Sequence, residues 1–174
     1  VIDPDFRVAG ALLALGAILD TVPYVQFLLG LPVTALGLLF LVQTCRIRFV
    51  FDEDNCLELK TTTGLFAGSE LKESGENLVV GGTNRWACDT IVNYDFFPKG
   101  WIDENPVGPV LVYFKETQTD RSSWNEGPGK SANDPDKIAA GQAVAGQVHF
   151  FPTVCNAKQI RAEFEKRGCG KIGS

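Results

Sequence analysis

Cysteine pairs at metal-ligand spacing are missing from this sequence. The five cysteines, Cys45, Cys56, Cys88, Cys155 and Cys169, contain no C-x-x-C pair and are odd in number. Neither a zinc cage nor a closed disulfide set is suggested, and reduced thiols in a cytosol-like compartment are expected. Histidine occurs once, as His149 in a strand-like run beside aromatic residues. No Ser or Cys partner for it is identifiable, so a structural or surface role is expected ahead of a catalytic one. Positive charge is short: 16 Lys+Arg against 21 Asp+Glu leave a net charge of -5 and a pI near 4.9. That excludes the basic face a nucleic-acid partner needs, local clusters apart. Methionine is absent even at position 1. This fits an N-terminus trimmed after synthesis, as when a targeting peptide is removed; a shortened chain would read the same.

Other chemical signatures also fail. Gly129-Lys130-Ser131 resembles the end of a phosphate-binding loop, but Trp124 stands where that motif needs glycine and no apolar strand leads in. Asp52-Glu53-Asp54 lacks the glycine and the distant Glu of a calcium loop and reads as a solvated hairpin turn. Asp103-Glu104 reads as exposed loop charge. No enzyme is expected, and no residue is identifiable as a cofactor or metal ligand.

What the sequence has is a long apolar start. Between Val8 and Val42 only Asp20 and Tyr24 can ionise, and the turn-like stretch between them divides the region into Phe6 to Leu19 and Val22 to Val42. A hairpin of two helices, apolar all round, is predicted for residues 1–45. At about 1.5 Å per residue the second helix spans roughly 31 Å, matching a hydrocarbon core of about 30 Å, while the first is shorter. Gly10, Ala14 and Ala17 facing Gly30, Ala35 and Gly37 would allow close approach, and Pro32 should kink the second helix. The alternative is a buried hairpin in a soluble protein, for which the rest of the 174 residues offers little cover. Arg7, Arg46 and Arg48 flank the open end and the turn has no Lys or Arg, which puts both ends on the cytoplasmic or stromal side.

Residues 46–174 read as a β domain with a C-terminal helix. Ile47, Phe49, Phe51, Leu57 and Leu59 alternate with polar residues about the Asp52-Glu-Asp-Asn55 turn, giving a β-hairpin with those five inward. Further strands are predicted at Trp86 to Phe97, Val110 to Glu116 and Gln147 to Phe151. Asn156 should cap a helix from Ala157 to Arg167, packed through Ile160 and Phe164 and ended by Gly168. The whole is an α+β membrane protein, its β part a pleckstrin-homology-like split barrel. Two segments exceed what a minimal barrel needs, Thr61 to Arg85 and Gln118 to Gly146. The second is expected to be ordered by a partner, with Trp124 as anchor and Arg121 and Lys130 as charged contacts, or else to be disordered. Shortening it should leave the domain folded. Trp101, with Phe96 and Phe97, fills the core end of the barrel or sits at lipid headgroups and docks there.

The segments "LGLLFLVQTCRIRFVFD", "GPVLVYFKE", "VHFFP" and "AKQIRAEFEKRG" together resemble an uncharacterised membrane-domain family of cyanobacteria and plastids. The long insertion between Glu116 and Val148 and the extended "NYDFFPKGWIDENP" are similar to the versions in diatoms and related red-lineage algae, where a member is similar to an accessory subunit of photosystem I. The resemblance implies a non-catalytic subunit in the plastid thylakoid membrane. Its β domain would be stromal and its partners would be the photosystem I core, stromal subunits and membrane lipid. An assembly factor or a membrane-anchored lipid-binding module is the alternative. The resemblance carries over no pigment-ligand residue; chlorophyll or carotenoid contact through Gln26, Gln43 or backbone carbonyls stays open.

Overall fold

The computed structural model describes residues 1–64, 70–75 and 83–172. Helix α1 spans Arg7–Asp20 and α2 spans Leu31–Arg46, joined by the Thr21 to Val25 turn and a π-helical turn over Gln26–Gly30. Where a kink was expected at Pro32, a π-turn lies immediately before it. The Leu31 N–H donates to the Gln26 carbonyl, and Pro32 then falls in the first turn of α2, where a missing N–H costs nothing. Gln26–Arg46 is long and apolar enough to cross a membrane, at 21 residues and a mean hydropathy of 2.0.

The helices meet through glycines: Gly30 and Gly37, which the sequence singled out, and Gly16, which it did not. A Cβ on Gly16 would sit 2.8 Å from the Thr34 backbone N, and one on Gly37 would sit 2.9 Å from the Leu13 N. Gly30 abuts Asp20, whose Oδ2 accepts a bond from Thr34 Oγ1. Gly10 faces open space, and Ala14, Ala17 and Ala35 are exposed. Gly16→Leu should therefore force the helices apart at a cost of about 1–3 kcal/mol in thermal unfolding, while Gly10→Leu changes stability by less than about 0.5 kcal/mol.

Beyond the hairpin the chain is α+β with antiparallel sheets. Strand β1 (Ile47–Phe51) pairs with β2 (Cys56–Thr62), Phe49 opposite Leu59 and Phe51 opposite Leu57. All five residues expected inward line or fill the core. The far edge of β2 carries β3 (Leu71–Glu73) opposite Lys60 to Thr62 and β4 (Arg85–Ala87) opposite Cys56 to Glu58, so these two pieces act as one interrupted strand. Residues 65–69 and 76–82 of the predicted Thr61 to Arg85 excursion lie outside the described residues. The single strand predicted from Trp86 to Phe97 is broken: a 3₁₀ turn at Cys88–Thr90 carries the chain to a second sheet, β5 (Ile91–Phe97), β6 (Leu111–Glu116) and β7 (Gln147–Pro152) in that order. Short helices α3 (Trp101–Glu104), α4 (Gly129–Ala132) and α5 (Pro135–Ala139) lie in the connections.

Both sheets feed one core. Trp86 of the first packs on Phe114 and His149 of the second, and Phe49 on Phe151. Helix α6 (Ala157–Lys166), its first amides capped by the Asn156 side chain, inserts Phe164 against Phe51, Tyr94 and Phe114. Residues ahead of α1 join this domain: Ile2 is buried in its core and donates its N–H to the Phe49 carbonyl, Pro4 bridges Cys155, and the Asn156 N–H bonds the Asp3 carbonyl. The hairpin is thus fastened to the sheets at both of its ends. Val8, Ala9 and Phe40 pack at its foot against Val107 and Val110.

Candidate functional site

Two features stand out chemically: a buried polar cluster at one end of the second sheet, and a pair of adjoining cavities at the foot of the hairpin. The cluster begins with Lys115 and Glu116, consecutive on β6 and pointing to opposite faces, yet only 2% and 0% exposed. Burying charge is tolerable only with near-complete hydrogen bonding. Lys115 Nζ donates to the carbonyls of Ala132 and Val144 and to Asn133 Oδ1. Asn133 in turn donates to the carbonyls of Trp124 and Gly146 and accepts from the Gly146 N–H. On the inner face the Glu116 carboxylate accepts from the N–H groups of Gln118 and Thr119, from Thr119 Oγ1, and from His149 Nε2 at 3.0 Å. Burial alone would raise the Glu116 pKa, but the bonds from His149 and Thr119 together hold it below the usual carboxylate range. Burial lowers that of Lys115.

The long loop after β6 is therefore ordered by its own chain. Trp124 is 9% exposed, its Nε1 donating to the Thr119 carbonyl, so its ring is already spent on the loop itself rather than presented to a partner. Arg121 lies over that ring at 5.5 Å and is exposed, as is Lys130 on α4; both remain accessible. Trp101 opens α3 and is half-buried, while its neighbour Ile102 is the side chain that packs on the core. Arg121 and Trp124 touch, whereas Trp101 and Lys130 sit on separate short helices, α3 and α4. Asp103 is held by Arg161 of α6 at 2.8 Å, and the Asp52 turn by Arg85 at 2.7 Å. His149 is structural, stacked on Phe114 and Phe151 as well as bonded to Glu116.

These buried groups are committed to backbone and to one another, an arrangement that rigidifies a fold. It also fixes the domain's response to alkali. Burial pushes the Cys155 thiol and the Tyr113 hydroxyl each up to about 12, above unfolded values of about 8.5 and 10. The folded state then keeps protons the unfolded state has released, so stability falls as pH rises from about 9 toward 12. Lys115 works in the opposite sense, so the difference between variants is the measurement. Cys155→Ala should flatten the fall of melting temperature between about pH 8.5 and 10 relative to the parent, leaving the Tyr113 contribution above that.

At the other end of the domain a cleft of about 400 Å³ opens between α2 and the sheets. Leu39, Phe40 and Gln43 form its α2 wall; Phe49, Leu59 and Phe151 form its floor; Thr61, Ser74 and Asn84 lie at one side. A second cavity, also about 400 Å³, shares Leu59, Ser74 and Asn84 with the first and is lined otherwise by polar groups, Glu58, Glu73, Thr83 and Arg85 among them. The Asn84 Nδ2 to Ser74 Oγ bond, 2.9 Å, lies where the two linings meet. Sequence reasoning missed these residues, as it missed Lys115, Glu116 and Asn133: nothing in their spacing signals that strands so distant converge.

Among the described residues no group of three or more potential metal ligands occurs. Neither the curated proteins nor the solved structures contain a match to the chain. A family model described as protein of unknown function (DUF3119) does match, over residues 1–169, and the chain belongs to that family.

Proposed function

We propose that this chain is a membrane-anchored, non-catalytic docking module, with the hairpin embedded in the bilayer and the β domain standing on the side marked by Arg7, Arg46 and Arg48. The observation that carries the reading is the outer surface of the hairpin. Ile18, Phe27, Leu28, Leu29, Leu38 and Leu39 are all more than half exposed along helices with no charged residue between Arg7 and Arg46 other than Asp20. Such a surface calls for lipid or another apolar helix. Two antiparallel sheets around one core, with α6 against it, fit a pleckstrin-homology-like split barrel.

Together with the resemblance drawn from the strand and helix motifs, this supports an accessory subunit of photosystem I in the plastid thylakoid membrane, its β domain contacting stromal subunits. The module does its work by position rather than by chemistry. Arg121 and Lys130 are the accessible members of the expected docking set, and the half-buried Trp101 is a third. Retention of the chain, at constant ratio, on a chlorophyll-containing complex after mild detergent extraction is the expected result. Recovery in the aqueous fraction without detergent would overturn the membrane anchor, and recovery in membranes but apart from every photosystem would leave the anchor and remove the subunit assignment. A second reading, a membrane-anchored lipid-binding module, is favoured by the cleft at the foot of α2.

A further inference from the structure

The two cavities at the foot of the hairpin differ in chemistry and share Leu59, Ser74 and Asn84 in their linings, an adjacency that suits an amphiphile. The first is walled by Leu39 and Phe40 of α2 and floored by Phe49 and Leu59. Its α2 wall continues without a break into the apolar surface of Gln26–Arg46, the span long enough to cross a bilayer. A hydrocarbon chain can enter from that side without crossing water. The second cavity carries the carboxylates of Glu58 and Glu73. Among its described lining residues the cation is Arg85, and its guanidinium is already bonded to Asp52 and Asp54 at 2.7 and 2.9 Å. A phosphate there would meet like charge, and the neighbouring cation Lys60 is already paired with Glu58 at 3.1 Å. Hydroxyl groups, by contrast, can donate to the two carboxylates and exchange bonds with Thr83, Ser74 and Asn84.

We propose that these cavities bind one membrane lipid with an uncharged, hydroxyl-rich headgroup of the sugar type, an acyl chain in the α2 cleft and the headgroup beyond the Ser74–Asn84 pair. The inference rests on the membrane reading above and adds the ligand class to it. It gives the domain a fixed depth at the bilayer surface, since a lipid held at both ends cannot let the sheets drift from the headgroup plane.

The test uses the full chain in mild detergent, offered equal amounts of a galactosyl diacylglycerol, phosphatidylcholine and phosphatidylglycerol, with adducts read by native mass spectrometry. One galactolipid adduct is expected, favoured over phosphatidylglycerol by about tenfold or more. Ser74→Trp, which puts a bulky ring where the two linings meet, should abolish it while circular dichroism and flotation with phosphatidylcholine vesicles stay unchanged. If that variant misfolds, Asn84→Ala, which only removes hydrogen bonds there, should still weaken the adduct by about fivefold to tenfold. No adduct, equal retention of the anionic lipid, or an adduct indifferent to both substitutions would overturn the site. Vesicle flotation separates the two levels: a chain that floats without selecting the sugar lipid keeps its anchor and loses this site, whereas one that fails to float loses both.

Discussion

Glu116→Ala should destabilise the β domain by about 3–5 kcal/mol, because it removes one member of a buried pair and strands the rest. The carboxylate answers the N–H groups of Gln118 and Thr119, the Thr119 hydroxyl and the His149 ring. With the carboxylate gone, the His149 ring is left in an interior where Glu116 itself is 0% exposed, and the part-buried donors of Gln118 and Thr119 lose their acceptor. Glu116→Gln keeps the shape and half the acceptors, so a smaller loss of about 1–3 kcal/mol is expected. The pH dependence distinguishes the charge from the volume. The Glu116 pKa is depressed in the folded state, so its contribution is complete above the unfolded value of about 4.3 and is lost as pH falls through the folded value. Acid melting curves of Glu116→Gln should therefore be flatter than those of the parent. Equal slopes would mean that the carboxylate is not the acid-sensitive element.

Phe164→Ala should cost about 3–5 kcal/mol as well, for a different reason. Its ring is 0% exposed and touches Phe51 of the first sheet, Tyr94 and Phe114 of the second, and so joins helix and both sheets at one point. No rearrangement of a single neighbour fills a space bounded on three sides by separate elements. Phe164→Leu should recover more than half of the loss, and thermal unfolding in detergent is the measurement. A thermally silent Phe164→Ala would remove α6 from the account of the core.

Comparison of these sites with the sequence separates local from distant information. The β1–β2 hairpin was legible because alternation at Ile47, Phe49 and Phe51 states which face is inward, and Asn156 announced α6 because a cap acts on the next three residues. The helix contact was legible on α2, where Gly30 and Gly37 were named, and not on α1. On helices apolar all round, periodicity names no face, and Gly16 reads no differently from Gly10. The break at Cys88–Thr90 was hidden by β-like composition on both sides of it. Least visible was the burial of Lys115 and Glu116: adjacent strand residues face opposite ways, so burying both requires a second cover, and that cover is the loop from Gln118 to Gly146 folded back through Asn133. Replacing the loop with a short link, expected from the sequence to be harmless, would uncover Lys115 and remove the carbonyls that hold it.

The short segment ahead of α1 sets an order of events in folding. Ile2 and Pro4 precede the hairpin in the chain, but their partners are Phe49, which follows the hairpin, and Cys155, near the end of the β domain. Contacts so far apart along the chain form late, because closing the intervening loop costs entropy that only the completed partner repays. The two apolar helices can therefore pair while the segment that will lock them to the sheets is still unattached. Hairpin pairing and domain closure become successive steps, with the finished β7–α6 junction acting as the latch that ends the process.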